Sequence, residues 1–423
     1  MHAQAFKVGM RSPDDVSEAA KLLDDGACSA EHVAAVLGKT EGNGGVNDFT
    51  RALATLSFQR LLAERSGKDL GDIARRVPII WSGGTEGVMS PHATLFTREP
   101  DRGTPTGDKR FTVGTAYTRD LLPEEFGTAV HARVAADGVR AAIEAAGIAA
   151  FEDVHFVQIK TGALTTERIN AARARGHSVV TGDTYKSMAY GRAAAALGIG
   201  LATGEVAPSK LSDDVIAREF SVFSNVASTS SGVELMNCEI IVLGNSGRST
   251  SGLAMSHAVM RDAIDAAAVR EALRRAGLTV DGELAPADRE RLVNVFAKCE
   301  PDPSGQTRGR RHVMFDDSDI NYTRHIRAVV NAVIASVIGD TMCYVSAGAE
   351  HQGRDGDHRG GVRPADAWTC SVSHPIKGNF TPSSGERCIH HHPHHRYYDR
   401  TKPERCYVSD AEAQADGCRR AKI

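Results

Sequence analysis

The chain has 423 residues, 41% of them apolar and 24% charged, which is an ordinary composition for a globular protein of two to four domains. The net charge of −3 provides no basic surface for nucleic acid, and no uncharged apolar run reaches the roughly 18 residues that a membrane span needs. The N-terminal segment lacks the apolar core of a signal peptide, and the eight cysteines include no CxxC pair. We therefore expect a cytoplasmic protein with reduced thiols.

Helical and strand-like segments alternate along the chain. Apolar spacing, caps and β-rich runs distinguish the two kinds of element. In chain order the predictions are a helix capped by Ser29 at 29–38, a helix at 49–67, a strand at 154–159, a helix at 191–204, a strand at 239–245, a helix at 323–340 and a strand at 342–345. This alternation indicates an α/β protein.

Three stretches of the chain resemble one another in the order of their elements and motifs. We place them at 1–104, 112–250 and 255–353, separated by linkers rich in Gly, Ser, Thr, Pro and charged residues. The remaining residues, 354–423, differ, because they hold the run "HHHPHH" and half of the cysteines without a clear apolar period. We interpret this tail as disordered or translated out of the ancestral frame, with a genuine extension as the alternative.

A short motif, S-x-G-x-E, occurs once in each of the three stretches. It begins at Ser82, Ser230 and Ser346 and ends at the glutamates Glu86, Glu234 and Glu350. A serine at a strand end, followed by glycine, is placed where backbone N–H groups can approach an oxyanion closely. A single copy is most simply a turn, and the glutamates are most simply structural partners of these loops, but three copies at domain-scale intervals favour a shared function.

A lysine and an arginine precede each serine in the same order. The lysines, at the ends of apolar segments, are Lys39, Lys160 and Lys298, and the arginines, on predicted helices, are Arg51, Arg192 and Arg324. A neutral lysine can take the proton of a serine hydroxyl, and burial beside cations lowers the lysine pKa enough to make it neutral. Arginine offers a planar fork of donors to carbonyl oxygens. Singly, each residue is more simply a solvated charge.

The segments "WSGGTEGVMSPH", "QIKTGALT", "STSSGVELMNCEIIVLGNS" and "YVSAGAEHQG" resemble the cyanuric acid hydrolase/barbiturase family over about residues 1–353. The resemblance implies an α/β fold in which three similar repeats are arranged with pseudo-threefold symmetry around a central β-barrel. It also implies a Ser-Lys amidohydrolase that opens the ring of cyanuric acid to carboxybiuret, which then loses carbon dioxide to give biuret. The substrate ring has three identical C(=O)–NH units, which suits three similar repeats.

The family assigns roles to the repeated residues. The resemblance implies that Ser230 is the nucleophile and Lys160 its base, whereas the residues alone do not select Ser230 over Ser82 or the adjacent Ser231. The other Ser/Lys pairs would polarise the remaining carbonyls; these are Ser82 with Lys39 and Ser346 with Lys298. The substrate-binding residues implied by the family are Arg51, Ser82, Gly83, Arg192, Ser230, Ser231, Arg324, Ser346 and Ala347.

The resemblance further implies a structural divalent metal, Mg²⁺ or Ca²⁺, near the third repeat, and no cofactor for the chemistry. Its ligands would be Glu300, Ala349, Gln352, Gly353 and Arg354, in part through backbone oxygens, as hard cations accept. From Arg354 onward the chain departs from the family pattern, and Asp357 replaces an expected glycine. The family also implies a homotetramer that acts on a small cyclic amide and binds neither nucleic acid nor membrane.

Three other functions compete with cyanuric acid hydrolysis. The nearest is barbiturase, which opens a pyrimidine ring and needs the same Ser, Lys and Arg residues. A second, of another class, is a metal-binding protein that uses the clustered histidines of the tail, although these lack the ordered spacing of a structural zinc site. The third is a repeat protein that binds a small ring without hydrolysing it.

Overall fold

The structure is a computed structural model, and it describes residues 1–100, 103–105, 107–352, 375–380, 388–393, 395, 397–398, 401 and 403–421. The chain divides into two compact units, Met1–Asp355 and Gly356–Ile423. Among the helices in these described stretches, none has both the length and the apolar character that crossing a bilayer would require.

The first unit begins with a four-stranded mixed sheet and three helices. Its elements are β1 (His2–Gly9), α1 (Ser17–Asp24), β2 (Val33–Thr40), α2 (Phe49–Ser66), α3 (Leu70–Arg76), β3 (Ile79–Gly83) and β4 (His92–Glu99). The strand order is β1–β4–β2–β3. Strands β2 and β3 are parallel, whereas β4 is antiparallel to both β1 and β2.

A second sheet repeats this topology. Its elements are β5 (Arg110–Tyr117), α4 (Ala129–Ala146), β6 (Val154–Thr161), α5 (Thr166–Ala174), α6 (Thr184–Thr203), β7 (Ala227–Ser231) and β8 (Glu239–Ser246). The order β5–β8–β6–β7 matches the first sheet strand for strand, again with one parallel pair, β6 and β7. The same order of elements thus forms the same sheet topology in the first two stretches.

The third stretch keeps the parallel pair. Its elements are α7 (Ala266–Arg275), α8 (Pro286–Arg291), β9 (Phe296–Cys299), β10 (Gln306–Thr307), β11 (Arg310–Arg311), α9 (Tyr322–Ile338) and β12 (Tyr344–Ala347). Strand β12 pairs with β9 in parallel, as β3 pairs with β2 and β7 with β6, while β10 and β11 form a short antiparallel hairpin.

Three predicted helices are confirmed, and each has clear end signals. Helices α2, α6 and α9 begin after Asp48, Asp183 and Asn321, whose side chains accept hydrogen bonds from backbone N–H groups of the first turn. Each helix ends at a glycine in the left-handed conformation, at positions 67, 204 and 339. The strands predicted at 154–159, 239–245 and 342–345 correspond to β6, β8 and β12.

The helix predicted at 29–38 is wrong. Ser29 does cap a turn, accepting a hydrogen bond from the N–H of Glu31, but this 3-10 turn ends at His32 and strand β2 follows. Strand β2 lies inside the sheet between β4 and β3, and its residues are almost all buried. A strand buried on both faces is a continuous apolar run, so the pattern of alternate polar residues that would reveal it is missing.

The inner faces of the sheets meet in one apolar core. Its residues come from all three stretches and are Ala3, Ala35, Leu37, Ile80, Phe96, Phe111, Val113, Phe156, Ile241, Leu243 and Tyr344, with Phe296 packed against them. Ring contacts join Phe156 to Phe296 and Phe296 to Tyr344, with centroids 5.5 and 5.9 Å apart. Because this core is shared, the serine-bearing strands are held close to one another.

The second unit has its own small sheet and core. Its elements are β13 (Ile376–Asn379), β14 (Ile389–His391), β15 (Arg405–Tyr407), α10 (Asp410–Ala415) and β16 (Arg419–Arg420), in strand order β15–β13–β14–β16. The core consists of Ile376, Cys388, Tyr407, Ala413 and Cys418. The tail was interpreted as disordered or frame-shifted; its described part contains these elements, and a shifted frame stays a prediction.

The expectation that the thiols are reduced is wrong for cysteines of the second unit. Cys388 and Cys418 form a disulfide within the second unit. Cys28, Cys238, Cys299 and Cys343, all in the first unit, are free and buried. Sequence spacing gave no sign of the bridge, because the two cysteines are 30 residues apart and meet only when β14 and β16 pair.

Candidate active site

Each predicted lysine lies directly opposite its predicted serine on neighbouring parallel strands. The paired positions are Lys39 and Ser82 on β2 and β3, Lys160 and Ser230 on β6 and β7, and Lys298 and Ser346 on β9 and β12. Serines and lysines at the same register therefore end their strands at the same edge of each sheet. This arrangement follows from the repeated topology and accounts for the Lys…Ser order in the sequence.

The three pairs differ in their hydrogen bonds. The Nζ atom of Lys39 donates to Ser82 Oγ at 3.0 Å, and that of Lys298 donates to Ser346 Oγ at 3.2 Å. Lys298 also donates to the carbonyl oxygens of Thr229 and Ala347, at 2.6 and 3.0 Å.

The second pair has no such lysine–serine bond. Lys160 donates to Glu234 Oε1 at 3.2 Å, and Ser230 Oγ accepts instead from Gln158 Nε2 at 3.3 Å. Lys160 and Ser230 thus lie opposite each other on neighbouring strands, but the lysine amine is turned toward Glu234.

Two residues that sequence reasoning missed connect the three serines. The hydroxyl of Tyr344 donates to Gln158 Oε1 at 3.2 Å, and it also interacts with Ser82 and Ser346. Gln158 in turn donates to Ser230. Tyr344 and Gln158 are both fully buried. The serines of all three stretches therefore converge on one hydrogen-bonded centre, which no single stretch of sequence could reveal.

Each motif glutamate pairs with an arginine from a different stretch. Arg192 contacts Glu350 through two hydrogen bonds of 2.7 and 2.6 Å, and Arg327 Nε donates to Glu86 Oε2 at 2.8 Å. Arg51 lies 3.7 Å from Glu234. The second stretch therefore takes its arginine from the first, the third takes it from the second, and the first takes it from the third. The glutamates are thus partners of arginines in neighbouring stretches rather than of their own loops alone.

Arg327 occupies the position in the third stretch that Arg51 and Arg192 occupy in the other two. Its side chain is 6% exposed, whereas that of Arg324, the residue predicted, is 46% exposed and touches Glu86 only at 3.3 Å. The sequence contains a signal that favours Arg327 over Arg324. Arg327 lies on the apolar stripe of α9 with Val330 and Ile334, and an arginine on a buried stripe needs a charged or polar partner.

The motif glycine leaves room for the glutamate–arginine pair. Gly84 and Gly348 have φ values of +98° and +84°, a conformation that favours glycine. A Cβ on Gly84 would lie 2.4 Å from Glu86 Oε1, and one on Gly348 would lie 2.6 Å from Arg192 Nε. At Gly232 a Cβ would lie 1.9 Å from Glu234 Oε2 and 2.8 Å from the Lys160 amine. The positive φ favours glycine at positions 84 and 348, and at all three positions the missing side chain leaves space for the charged groups.

Burial and the neighbouring arginines lower the pKa of all three lysines. Burial and Arg51 lower the pKa of Lys160 to about 8, and burial and Arg192 lower that of Lys298 to about 7. Burial and Arg327 hold the pKa of Lys39 well below its usual range. Lys160 and Lys298 can therefore be neutral near physiological pH, which is the condition for a base.

The remaining predicted substrate-binding residues occupy equivalent positions. Gly83, Ser231 and Ala347 are the last residues of β3, β7 and β12, each directly after a motif serine. The hydroxyl of Ser231 donates to the carbonyl of Gly162, so it is already engaged, whereas Ser230 is partly exposed. Ser82 and Ser346 are only 7% and 4% exposed. Ser230 is thus the most accessible of the four serine hydroxyls.

The predicted metal ligands are placed in part. Glu300 Oε2 accepts hydrogen bonds from the N–H groups of Gly348 and Ala349, at 3.0 and 2.9 Å. Burial and the neighbouring Glu350 raise the pKa of Glu300 to about 7. The side chain of Gln352 lies against the same loop, donating to the carbonyl of Gly348 at 3.2 Å. Gly353 and Arg354 lie outside the described residues. The neighbouring carboxylates of Glu300 and Glu350 and the nearby carbonyl oxygens fit a hard divalent cation.

A cavity of about 280 Å³ reaches one of the three sets. Its polar lining consists mainly of Arg51, Lys160, Glu234 and Glu239, and its apolar wall includes Trp81. Burial raises the pKa of Glu239 to about 7, against the effect of nearby Lys160. The cavity therefore leads from α2 and β3 to the amine of Lys160.

The chain is similar to known proteins over most of its first unit. The sequence profile of a family described as amidohydrolase ring-opening protein matches residues 4–361. A cyanuric acid amidohydrolase of Enterobacter cloacae is 54% identical over 360 residues, which cover 84% of this chain and 97% of that protein. Barbiturase 1 of a Nocardioides species is 44% identical over 356 residues, covering 83% and 95%.

Solved structures match over the same span. A cyanuric acid hydrolase described as an evolutionary innovation by structural concatenation superposes with a TM-score of 0.80 at 46% identity, covering 84% of this chain and 96% of that one. A cyanuric acid hydrolase from A. caulinodans gives a TM-score of 0.75 at 45% identity, with the same coverage. From the matched span and these identities, the chain belongs to the family of ring-opening amidohydrolases.

Proposed function

We propose that this protein hydrolyses cyanuric acid, opening the ring to carboxybiuret, which then loses carbon dioxide to give biuret. The observation that carries the proposal is the set of three serine, lysine, glutamate and arginine groups around one centre. A ring of three identical C(=O)–NH units can present one carbonyl to each group. Relatives named cyanuric acid amidohydrolase, at up to 54% identity, support the substrate.

Pseudo-threefold symmetry around a central β-barrel is part of the same proposal. It is supported by the identical strand order of the first two sheets and by the parallel pair that all three stretches keep. The core shared by the three stretches would form the interior of that barrel. A homotetramer remains an expectation from the family resemblance.

In the proposed mechanism, neutral Lys160 turns from Glu234 to Ser230 and takes its hydroxyl proton. The Ser230 oxygen then bonds to a ring carbonyl carbon, the adjacent C–N bond breaks, and the leaving nitrogen receives the proton from Lys160. Water, deprotonated by the same amine, attacks the acyl-serine ester and releases carboxybiuret and the serine hydroxyl. The exposure of Ser230 and the engagement of Ser231 with Gly162 support this choice of nucleophile.

The other two sets would hold and polarise the carbonyls that do not react. Ser82 and Ser346 already accept hydrogen bonds from Lys39 and Lys298, and their hydroxyl hydrogens can be donated to carbonyl oxygens. The arginines would supply charged donors to the same oxygens. Among the described residues, buried Arg51 Nε is without a hydrogen-bond partner, which is costly unless a ligand oxygen accepts from it.

The structural divalent metal is also proposed. Glu300 would provide a carboxylate oxygen, and Ala349 and Gln352 would provide carbonyl oxygens, beside the Arg192–Glu350 pair. Such an ion would stabilise the two adjacent carboxylates and the loop that follows Ser346. The reaction itself uses only the serine, lysine and arginine side chains.

The test is incubation of the purified chain with cyanuric acid and, separately, with barbituric acid, while biuret and ureidomalonate formation are measured. We expect kcat/KM for cyanuric acid to exceed that for barbituric acid by at least about tenfold, a difference of roughly 1.4 kcal/mol in activation free energy. The reverse ratio would make the protein a barbiturase, which a 44% identical relative is named. If either ring binds and no product forms, the protein binds small rings without hydrolysing them, and the proposed function is wrong.

The activity should depend on pH through Lys160. Because the base must be neutral, kcat/KM is expected to rise about tenfold per pH unit below the Lys160 pKa of about 8 and to level off above it. The negative charge of Glu239 raises that pKa, so Glu239→Gln should move the midpoint to lower pH. The measurement is the pH profile of kcat/KM for both proteins. Glu271→Gln, a change at an exposed distant carboxylate, is the control; equal midpoints in Glu239→Gln and Glu271→Gln would contradict the assignment.

A further inference from the structure

Two histidines and an aspartate in the second unit place three ligand atoms close together. His390 and His392 lie two residues apart in and just after β14, so their side chains share one face. The Nε2 atoms lie 2.7 and 2.5 Å from the same atom, Asp410 Oδ1. The three ligand atoms are all within 4.8 Å of one another. All three residues belong to the second unit.

The two ring nitrogens of His390 have different partners. The partner of Nδ1 determines whether Nε2, which faces the aspartate, carries a hydrogen. His390 Nδ1 is 3.2 Å from the carbonyl oxygen of Cys418, and a carbonyl can only accept, so Nδ1 carries the hydrogen. In neutral imidazole, Nε2 then has a lone pair and faces a carboxylate oxygen, which is also an acceptor. The contact therefore needs either a proton or a bound cation between these two acceptor atoms.

We propose that His390, His392 and Asp410 bind a transition-metal ion, with Zn²⁺ as the fitting ion. Two imidazole nitrogens and one carboxylate oxygen are common zinc ligands, and they leave a fourth position open. Metal–ligand bonds of about 2.0–2.2 Å would place tetrahedral ligand atoms roughly 3.3 Å apart. The two nitrogens would therefore move roughly 0.6 and 0.8 Å away from Asp410 Oδ1, which a partly exposed aspartate side chain allows.

The surroundings support a metal in other ways. The Nδ1–H to carbonyl bond of His390 is the outer-shell contact that orients a metal-binding histidine. The Cys388–Cys418 disulfide fixes the strand that carries His390 to the segment that supplies this carbonyl. Arg420 lies 3.4 Å from the other oxygen of Asp410, so Oδ1 is left to the metal. The site thus depends on the folded sheet and not simply on a run of histidines.

The experiment is titration of the full-length chain, stripped with chelator, with Zn²⁺ in millimolar Mg²⁺ and Ca²⁺ to saturate hard-cation sites. We expect one Zn²⁺ per chain, and a loss of affinity of at least about 100-fold in His390→Gln and in Asp410→Asn. Asp410→Asn keeps the side-chain shape, so it separates ligation from folding. The matched control is His391→Gln, whose residue is the neighbour on the opposite face of β14; its affinity should stay within about threefold of the original chain.

X-ray absorption of the loaded protein provides an independent measurement. It should show only nitrogen and oxygen ligands, two of them imidazoles, because the cysteines beside the site form a disulfide. The proposal fails if the original chain binds no Zn²⁺, if His391→Gln loses as much affinity as His390→Gln, or if sulfur is among the ligands. The alternative of a protonated His390 paired with Asp410 predicts the first of these results.

Discussion

Ser230→Ala is expected to lower kcat for cyanuric acid by roughly 10⁴-fold or more while the protein stays folded, because the attacking oxygen is lost. Lys160→Met should have an effect of similar size, since the serine then has no base. The double variant should be no slower than either single variant, as expected when two residues act as one unit. Steady-state kinetics and circular dichroism of the three variants would measure these effects.

Ser82→Ala provides the matched comparison, since Ser82 has the same register position in the first sheet. It should reduce kcat by about 10²–10³-fold, the cost of removing one donor to a polarised oxygen. Rapid acid quench and mass spectrometry should find the acyl group on the peptide that contains Ser230 in this variant. An acyl group on Ser82 in the original chain, or a nearly active Ser230→Ala, would show that the nucleophile had been placed in the wrong repeat.

Arg327→Lys should lower kcat/KM for cyanuric acid by about 10²-fold, whereas Arg324→Lys should stay within about threefold of the original chain. Lysine retains the charge but loses the planar fork that contacts both oxygens of Glu86. Arg324, one helical turn away, is half exposed and contributes little. Kinetics with both variants would separate the two residues. Equal losses would mean that Arg324, as the sequence suggested, shares the role.

A structural role for Arg327 makes a different prediction. If it only stabilises the fold through the buried pair with Glu86, Arg327→Lys should lower the melting temperature and leave the kinetics of the folded fraction unchanged. A loss of kcat/KM with a normal titration of active sites would therefore support contact with substrate. Arg51→Lys and Arg192→Lys should behave like Arg327→Lys, because their partners Glu234 and Glu350 are equivalent.

The parts of the fold that local chemistry controls were predictable from sequence. Helices α2 and α9 have both an Asx cap and a terminal glycine, and the lysine and serine of each pair stand at the ends of recognisable apolar runs. The prediction of a helix at β2 was wrong for the opposite reason. A strand that is covered on both faces lacks the alternation of polar and apolar residues by which a strand is recognised. The small strands of the tail are two to four residues long, too short to produce a visible period.

The composition of each lysine–glutamate–arginine set was not predictable, because the glutamate and the arginine are far apart in sequence. Glu86 and Arg327 are 241 residues apart, and Arg192 and Glu350 are 158 apart. Spacing could not choose between Arg324 and Arg327, which are adjacent on one helix and differ only in burial. Tyr344 and Gln158 looked like ordinary core and strand residues until tertiary packing brought them to the serines.

The cyclic exchange of arginines also sets an order in which the site is completed as the chain leaves the ribosome. The set of Lys160, Glu234 and Arg51 is complete once the first two sheets have been synthesised. The other two sets can form only after the third stretch has been synthesised, because Glu86 pairs with Arg327 and Arg192 pairs with Glu350. Until then, Glu86 and Arg192 lack the ion-pair partners that they have in the folded chain. All three sets can therefore form only after the chain has been synthesised as far as Glu350.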